Sequence, residues 1–229
     1  GAQVWEGGKD LAEFIAKDVP PDHTAEVRAG RVLELGAGHG LPGIAAAQRL
    51  SPSAIDFHDH SKEVLHEVTY ANLMANGIVG KGHCQPRLLA GEWKSLAEAS
   101  VDCGPAYDII LAAEAIYDVT AFPSLEAVLR RWLLPTSGIA WFAGKRYYFG
   151  CGGGTASFSE FLQRQGFESK VVKVIDTGRA NIREILQVTL PIADSNSRQT
   201  HFPQACGADD AVACAAKRAR HANWPAELS

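Results

Sequence analysis

Three glycines at alternating positions, carried from an apolar strand into the start of a helix, constrain this chain more than any other feature. The segment is Val32-Leu33-Glu34-Leu35-Gly36-Ala37-Gly38-His39-Gly40-Leu41. Small residues at such a turn let the backbone approach a ligand closely, and a helix start offers N–H groups without intrahelical partners. A strand–turn–helix unit of this kind belongs to a parallel sheet covered by helices, and the rest of the chain alternates in the same way.

Asp10–Asp18 reads as a short amphipathic helix with Leu11, Phe14 and Ile15 on one face, ended by Pro20 and Pro21. Arg31–Leu35 is the first strand, and the helix after the glycines runs to Leu50. Ala54–Asp59 is the second strand. Ser61 then caps a helix whose buried stripe is Val64, Leu65, Val68 and Leu73. His83–Ala90 is a third strand, and Tyr107–Ala113, apolar on both faces, a central fourth. A helix from Pro123 to Leu134, a strand over Gly138–Ala143 and a helix over Ala156–Gln165 come next. Glu168–Ile175 and Arg183–Leu190, β-branched and close in sequence, read as an antiparallel pair that finishes a seven-stranded, mostly parallel sheet with helices on both faces. Residues 1–191 form one domain on this reading. Residues 192–229, without a sustained apolar period, are expected to be a poorly ordered tail, its Lys217, Arg218 and Arg220 a solvated basic cluster.

Composition removes several function classes. With 22 Lys and Arg against 26 Asp and Glu the net charge is −4, which lacks the basic footprint of a protein that holds nucleic acid by bulk electrostatics. No apolar run reaches the roughly 18–20 residues of a membrane span. The cysteines Cys84, Cys103, Cys151, Cys206 and Cys214 are odd in number and form no C-x-x-C pair, so a reducing compartment is expected, with neither a disulfide framework nor structural zinc. Met74 is the sole methionine, from which we expect the native chain to begin upstream of Gly1.

The glycine loop admits two readings. Gly38-x-Gly40-x-x-Gly43 fits the dinucleotide pattern, a weak signal alone, whereas Glu34-x-Gly36-x-Gly38-x-Gly40 fits the S-adenosylmethionine loop of Rossmann-like methyltransferases. Glu34 favours the second reading, because its carboxylate would repel a pyrophosphate and suits a cationic methionine moiety. The C-terminal strand pair and the absence of any Tyr-x-x-x-Lys point the same way. Asp59, 25 residues after Glu34, ends the second strand, where an acid accepts both hydroxyls of an adenosine ribose. Asp56, His58 and His60 share a strand face, but with no fourth ligand nearby they read as polar strand residues, and no metal is expected.

These residues, with Val4-Trp5-Glu6, Phe57-His58-Asp59-His60, Glu67-Val68-Thr69-x-x-Asn72, Gly91-Glu92-Trp93, Glu114-Ala115-Ile116-Tyr117 and the run Tyr148-Phe149-Gly150-Cys151-Gly152-Gly153-Gly154, resemble the seven-strand protein methyltransferases. Within them the chain resembles the histidine protein methyltransferases, and the likeness runs from Val4 to about Pro191, including Lys173-Val174-Ile175-Asp176 and Arg183-Glu184-Ile185. Related lysine enzymes usually carry Asp-x-x-Tyr after the fourth strand, where this chain has Glu114-x-x-Tyr117. Ala113 departs from the serine usual in the family.

The resemblance implies S-adenosylmethionine as cofactor and a histidine of a ribosomal large-subunit protein, modified at the tele nitrogen, as acceptor; a lysine acceptor is the alternative. It implies cofactor contacts from Val4, Trp5, Glu6, Glu34, Gly36, Gly38, Asp59, His60, Trp93 and Ala113, with Trp5 against the methionine arm, where a sulfonium suits an aromatic face, and Trp93 over the adenine. Glu114 and Tyr117 are expected to hold the target side chain. Tyr148, Phe149 and Gly150, with Tyr147, are expected to form a substrate lip on a glycine hinge. Lys145 and Arg146 beside it could meet RNA phosphates, through a pre-ribosomal particle only. A monomer in the cytoplasm, the nucleus or both completes the expectation.

Overall fold

The computed structural model describes residues 3–19, 30–79, 86–99, 107–178 and 182–190. Seven strands form one sheet: β1 (Arg31–Leu35), β2 (Ala54–Asp59), β3 (Arg87–Ala90), β4 (Ile109–Ala113), β5 (Ile139–Lys145), β6 (Glu168–Ile175) and β7 (Arg183–Thr189). Their order is β3-β2-β1-β4-β5-β7-β6. The first five run parallel, and β7 pairs antiparallel with both β5 and β6. The expected Rossmann-like sheet with its antiparallel C-terminal pair is therefore present.

Alternation of side chains along the strands divides the core into two layers. Val32, Ile55, Phe57, Leu111 and Trp141 face α1 (Glu6–Lys17), α2 (Leu41–Leu50) and α3 (62–75), which contribute Leu11, Ile15, Ile44, Leu65 and Leu73. Leu33, Leu35, Ile110, Phe142 and Leu186 face α4 (Trp93–Glu98), α5 (Phe122–Trp132) and α6 (Thr155–Arg164). In α5 the buried Phe122, Leu125, Val128, Leu129 and Trp132 recur at helical spacing, and Pro123 sits in the first turn, where a missing N–H costs nothing. Trp132 donates its indole N–H to the Leu96 carbonyl at 2.8 Å and ties α5 to α4.

Some elements differ from their sequence-based expectation. Helix α1 starts at Glu6 rather than Asp10, and α4 has no counterpart in that expectation. Helix α3 is built from Lys62–Val64, a π-helical turn over Leu65–Thr69 and Tyr70–Ala75. Ser61 caps it, its hydroxyl accepting the Val64 N–H at 3.2 Å. The buried residues of α3 are Leu65, Thr69 and Leu73, while Val68 is only half-buried. β4 begins at Ile109, and Tyr107 instead bridges to Leu133. Of the third strand only Arg87–Ala90 is seen; residues 83–85, the tail 192–229 with its basic cluster, Pro20, Pro21 and every cysteine except Cys151 lie outside the described residues. No described helix is long and apolar enough to cross a membrane.

Candidate active site

The strand order of the sheet reverses between β1 and β4, and ligands of open α/β sheets bind outside the carboxyl ends of strands at such a point. A cavity of about 850 Å³ opens there. Its floor is the Gly36–Gly40 loop. Three of its glycines have positive φ, 63° at Gly36, 51° at Gly38 and 71° at Gly40, which residues with a Cβ adopt only under strain. The Ala37 N–H donates to the His58 carbonyl at 2.8 Å and the Gly38 N–H to Asp59 Oδ2 at 3.0 Å, so the loop folds over the end of β2. A Cβ on Gly36 would come within 3.8 Å of the Trp93 ring, so the missing side chain leaves a slot beside that indole.

Asp59 is buried. Its second oxygen, Oδ1, accepts the Ser61 N–H at 3.0 Å, with His60 Nδ1 at 3.1 Å. Glu34 lies deeper and accepts the Gly43 N–H at 2.8 Å. A Cβ on Gly43 would stand 2.6 Å from that carboxyl, which explains why glycine occupies this position in the first turn of α2. Burial pushes the Glu34 carboxyl up to about 8, with Asp59 adding to the rise and the Gly43 N–H opposing it. Without a ligand, then, Glu34 is mostly protonated at neutral pH.

The far wall is organised by Glu114, immediately after β4. Its backbone has φ 55°, one of two non-glycine residues with positive φ among the described residues. Its Oε1 accepts the Gly7 N–H at 3.0 Å, and its Oε2 accepts the Tyr148 hydroxyl. That hydroxyl also accepts the Lys145 N–H at 3.1 Å, and Lys145 Nζ stands 5.5 Å from the centre of the Tyr148 ring. Burial and the bond to Glu114 raise the Tyr148 phenol above its ordinary value. Glu114 thus caps the first turn of α1, where a negative charge suits the free N–H groups, and fixes the Tyr148 ring from below.

Most residues singled out in the sequence converge on this cavity. Val4, Trp5, Glu34, Gly36, Gly38, Asp59, His60, Trp93 and Ala113 line it with Glu114, Tyr117, Tyr148 and Phe149. Trp5 is 60% exposed, Tyr117 50% and Phe149 84%, so the mouth carries an open aromatic rim. Glu6 and Gly150 are not part of the lining. Glu6 instead lies 3.3 Å from Arg183, which Asp10 also binds. Arg146 pairs with Glu184 and is not a free cation for phosphate. Asp56 accepts Arg87 Nε at 2.7 Å and the Tyr107 hydroxyl at 2.6 Å, a buried brace between β2, β3 and the segment ahead of β4. His58, also buried, forms no side-chain hydrogen bond among the described residues, and burial lowers its imidazole below the ordinary value. Among the described residues no three metal-ligating side chains converge.

The glycine loop before α6, expected to act as a hinge, is tied to the segment after β4 by backbone bonds. The Tyr148 N–H donates to the Gly153 carbonyl at 2.9 Å, the Gly154 N–H to the Ile116 carbonyl at 2.8 Å, and Asp118 bridges to Gly152. A Cβ on Gly153 would collide with the backbone of Ile116 and Tyr117. Gly153 serves close packing of this loop on the segment after β4, Gly154 lies against the backbone of Lys145 and Arg146, and a Cβ on Gly150 would meet nothing within 4 Å. Sequence reading gave no role to Gly7, Thr69 or Asn72, and Lys145, expected beside the lip, lines the cavity.

Comparison with known proteins agrees with this architecture. The chain is 31% identical over 190 residues to a histidine protein methyltransferase 1 homolog of Dictyostelium discoideum, covering 82% of this chain and 57% of that protein. It is 34% identical over 203 residues to the homolog of the same name in Rattus norvegicus, covering 78% and 54%. The chain therefore spans a little over half the length of these curated relatives. The crystal structure of P. horikoshii TYW2 in complex with MeSAdo shares the fold, with a TM-score of 0.53 at 11% identity, covering 82% of this chain and 64% of that one. A family model described as lysine methyltransferase matches residues 1–163. On that match the chain belongs to the lysine methyltransferase family, and within it is similar to proteins named for histidine methylation.

Proposed function

We propose that this chain carries the catalytic domain of a protein-histidine N-methyltransferase, whose acceptor is a histidine, modified at the tele nitrogen, in a ribosomal large-subunit protein. The observation that carries the reading is one cavity with two differently built ends. At one end lie the glycine loop, Asp59 and Trp93; at the other Glu114 stands under an exposed aromatic rim.

The first end fits S-adenosylmethionine, which supplies an electrophilic methyl carbon when bound. Asp59 uses one acceptor site of each oxygen on a loop N–H. A carboxylate has about four such sites, which leaves capacity for a ribose diol. The slot beside Trp93 suits a flat ring, and the buried Glu34 suits a cation.

The second end suits an imidazole. Glu114 has two bonds, to Gly7 and Tyr148, and therefore two acceptor sites left. Accepting the N–H of one ring nitrogen would fix the tautomer and aim the lone pair of the other outward. An imidazole with a pKa near ~6.5 is mostly neutral at physiological pH, so no strong base is required. Orientation and exclusion of water supply the acceleration, and the exposed rings of Tyr117 and Phe149 at the mouth, with Trp5 toward the methionine arm, line the cavity that would enclose donor and acceptor. Glu in place of the lysine enzymes' Asp, and relatives named for histidine, support this acceptor over lysine.

The test is methyl transfer from tritiated S-adenosylmethionine to large-subunit ribosomal proteins, followed by hydrolysis of the labelled band. Label in methylhistidine is the expected result. Label in methyllysine would overturn the histidine assignment and keep the fold and donor.

A further inference from the structure

The glycine loop cannot hold its own shape. Gly36, Gly38 and Gly40 are free of side-chain constraint and unfold into a large ensemble, so something outside the loop must fix it. On the cavity side Asp59 takes the Gly38 N–H. On the opposite side α3 adds two side-chain bonds to the backbone bonds Ala37 N–H to His58 carbonyl and Gly40 N–H to Ala37 carbonyl. The Thr69 hydroxyl donates to the Gly38 carbonyl at 2.6 Å, with the Val64 carbonyl more distant at 3.4 Å. One turn on, Asn72 Nδ2 donates to the His39 carbonyl at 2.9 Å. Two consecutive carbonyls of the loop are thereby drawn toward one helix.

The π-turn matters to this arrangement. Its wider spacing rotates the helical turn after it against the turn before it, and such turns recur at functional sites. Here it accompanies full burial of the polar Thr69, whereas the apolar Val68 stays half-exposed. A buried threonine in a helix normally returns its proton to its own backbone. Thr69 gives it to the loop, and its methyl group packs 3.2 Å from where a Cβ on Gly40 would lie. Because a trans peptide points its C=O and N–H in opposite directions, holding the Gly38 carbonyl turns the His39 N–H away from α3.

We propose that Thr69 and Asn72 are positioning residues for the methyl donor. They act through the loop that cradles it, with the π-turn setting their reach. The proposal rests on the donor assignment made above.

The experiment is calorimetric titration of the full chain with S-adenosylhomocysteine, for the wild type and for Thr69→Val, Thr69→Ser and Asn72→Asp, together with steady-state kinetics on the methyl acceptor. Thr69→Val keeps the shape and removes the donor. We expect it to weaken binding about 10-fold or more, with Thr69→Ser within about 3-fold of wild type, because a hydrogen bond whose loss leaves a partly buried carbonyl unpaired carries roughly this weight. The KM for S-adenosylmethionine should rise while the acceptor KM holds. Asn72→Asp, half-exposed and tolerant, should weaken binding about 5-fold and keeps the test open if Thr69→Val does not fold. Equal affinity of wild type and Thr69→Val, or failure of Thr69→Ser to recover, would overturn the proposal. Absence of binding by the wild type would instead overturn the donor assignment.

Discussion

Glu34 gives the sharpest quantitative expectation. Its carboxyl is buried, carries a single N–H bond from Gly43 and titrates at about 8. Around pH 7 roughly ten of eleven molecules therefore hold the proton. S-adenosylmethionine brings a sulfonium cation into the cavity that Glu34 lines, and a cation favours the ionised carboxylate. If binding draws on the ionised form, apparent affinity follows its population, about 1% at pH 6 and 50% at pH 8. Affinity should then rise about 50-fold between those two pH values and flatten above about pH 9. At pH 7 binding should release about 0.9 proton, readable by calorimetry in two buffers of different ionisation enthalpy. Glu34→Gln should abolish the Glu34 part of this slope and bind more weakly than wild type at pH 8. The cavity's other ionisable groups, His39, Asp59, His60, Glu114, Tyr117, Lys145, Tyr148 and Cys151, are common to both proteins, so the difference between their profiles isolates Glu34. A wild-type affinity flat from pH 6 to 8, or an unchanged slope in Glu34→Gln, would refute the reasoning.

The same residue makes a stability prediction without ligand. Its folded pKa is raised, so the folded state keeps a proton that the unfolded state releases; stability is fully present below about pH 4.3 and is lost as pH rises toward about 8. The melting temperature of Glu34→Gln relative to wild type should therefore increase with pH across that window. Asp59→Ala should weaken donor binding by about 1.5–3 kcal/mol in calorimetry, because a charge-assisted acceptor is lost and the Gly38 N–H is released. Glu114→Gln should lower turnover about 100-fold with donor affinity within about 3-fold, since misplacement of reacting groups is what it introduces; an effect confined to donor affinity would refute its placement at the acceptor. Gly153→Ala, pressing on the backbone of Ile116 and Tyr117, should cost about 1–3 kcal/mol by overpacking and raise the acceptor KM without altering donor binding.

What the sequence disclosed, and what it withheld, divide along the range of the interactions concerned. β2 and β6 match their expected limits, because Ala54–Asp59 and Glu168–Ile175 carry a strand period within themselves. The glycine loop was equally legible, its chemistry contained in ten consecutive residues. Helix α1 was not. Gly7 and Gly8 sit in its first turn and by propensity oppose a helix there. They are held because Glu114, 107 residues away, accepts the Gly7 N–H, and glycine is required because a Cβ would stand 2.7 Å from that carboxyl. Helix α4 was missed for a related reason: it is six residues long, has no side-chain cap and is anchored by Trp132 from α5. Asp56 looked like part of a polar strand end because its partners, Arg87 and Tyr107, lie 31 and 51 residues onward.

The same long-range character bears on what Glu114 is. Read from sequence it was a group for the acceptor; in the structure both its oxygens are already engaged, one at the start of α1 and one at Tyr148. These are different parts of the rim. Val4 and Trp5 immediately precede α1, while Tyr148 leads into Phe149, so a single carboxylate sets the spacing between the two sides of the mouth. Its left-handed backbone is costly for a residue with a Cβ, and such strain persists only where surrounding bonds hold it. Those bonds are present: the Glu114 N–H donates to the Ala143 carbonyl at 2.8 Å, and the carboxylate is fixed at both ends. A side chain held this firmly offers its remaining lone pairs in one direction, which is what the proposed recognition of a single imidazole tautomer requires. On the proposed assignment, orienting the acceptor and framing the opening through which it enters are two consequences of the same few bonds.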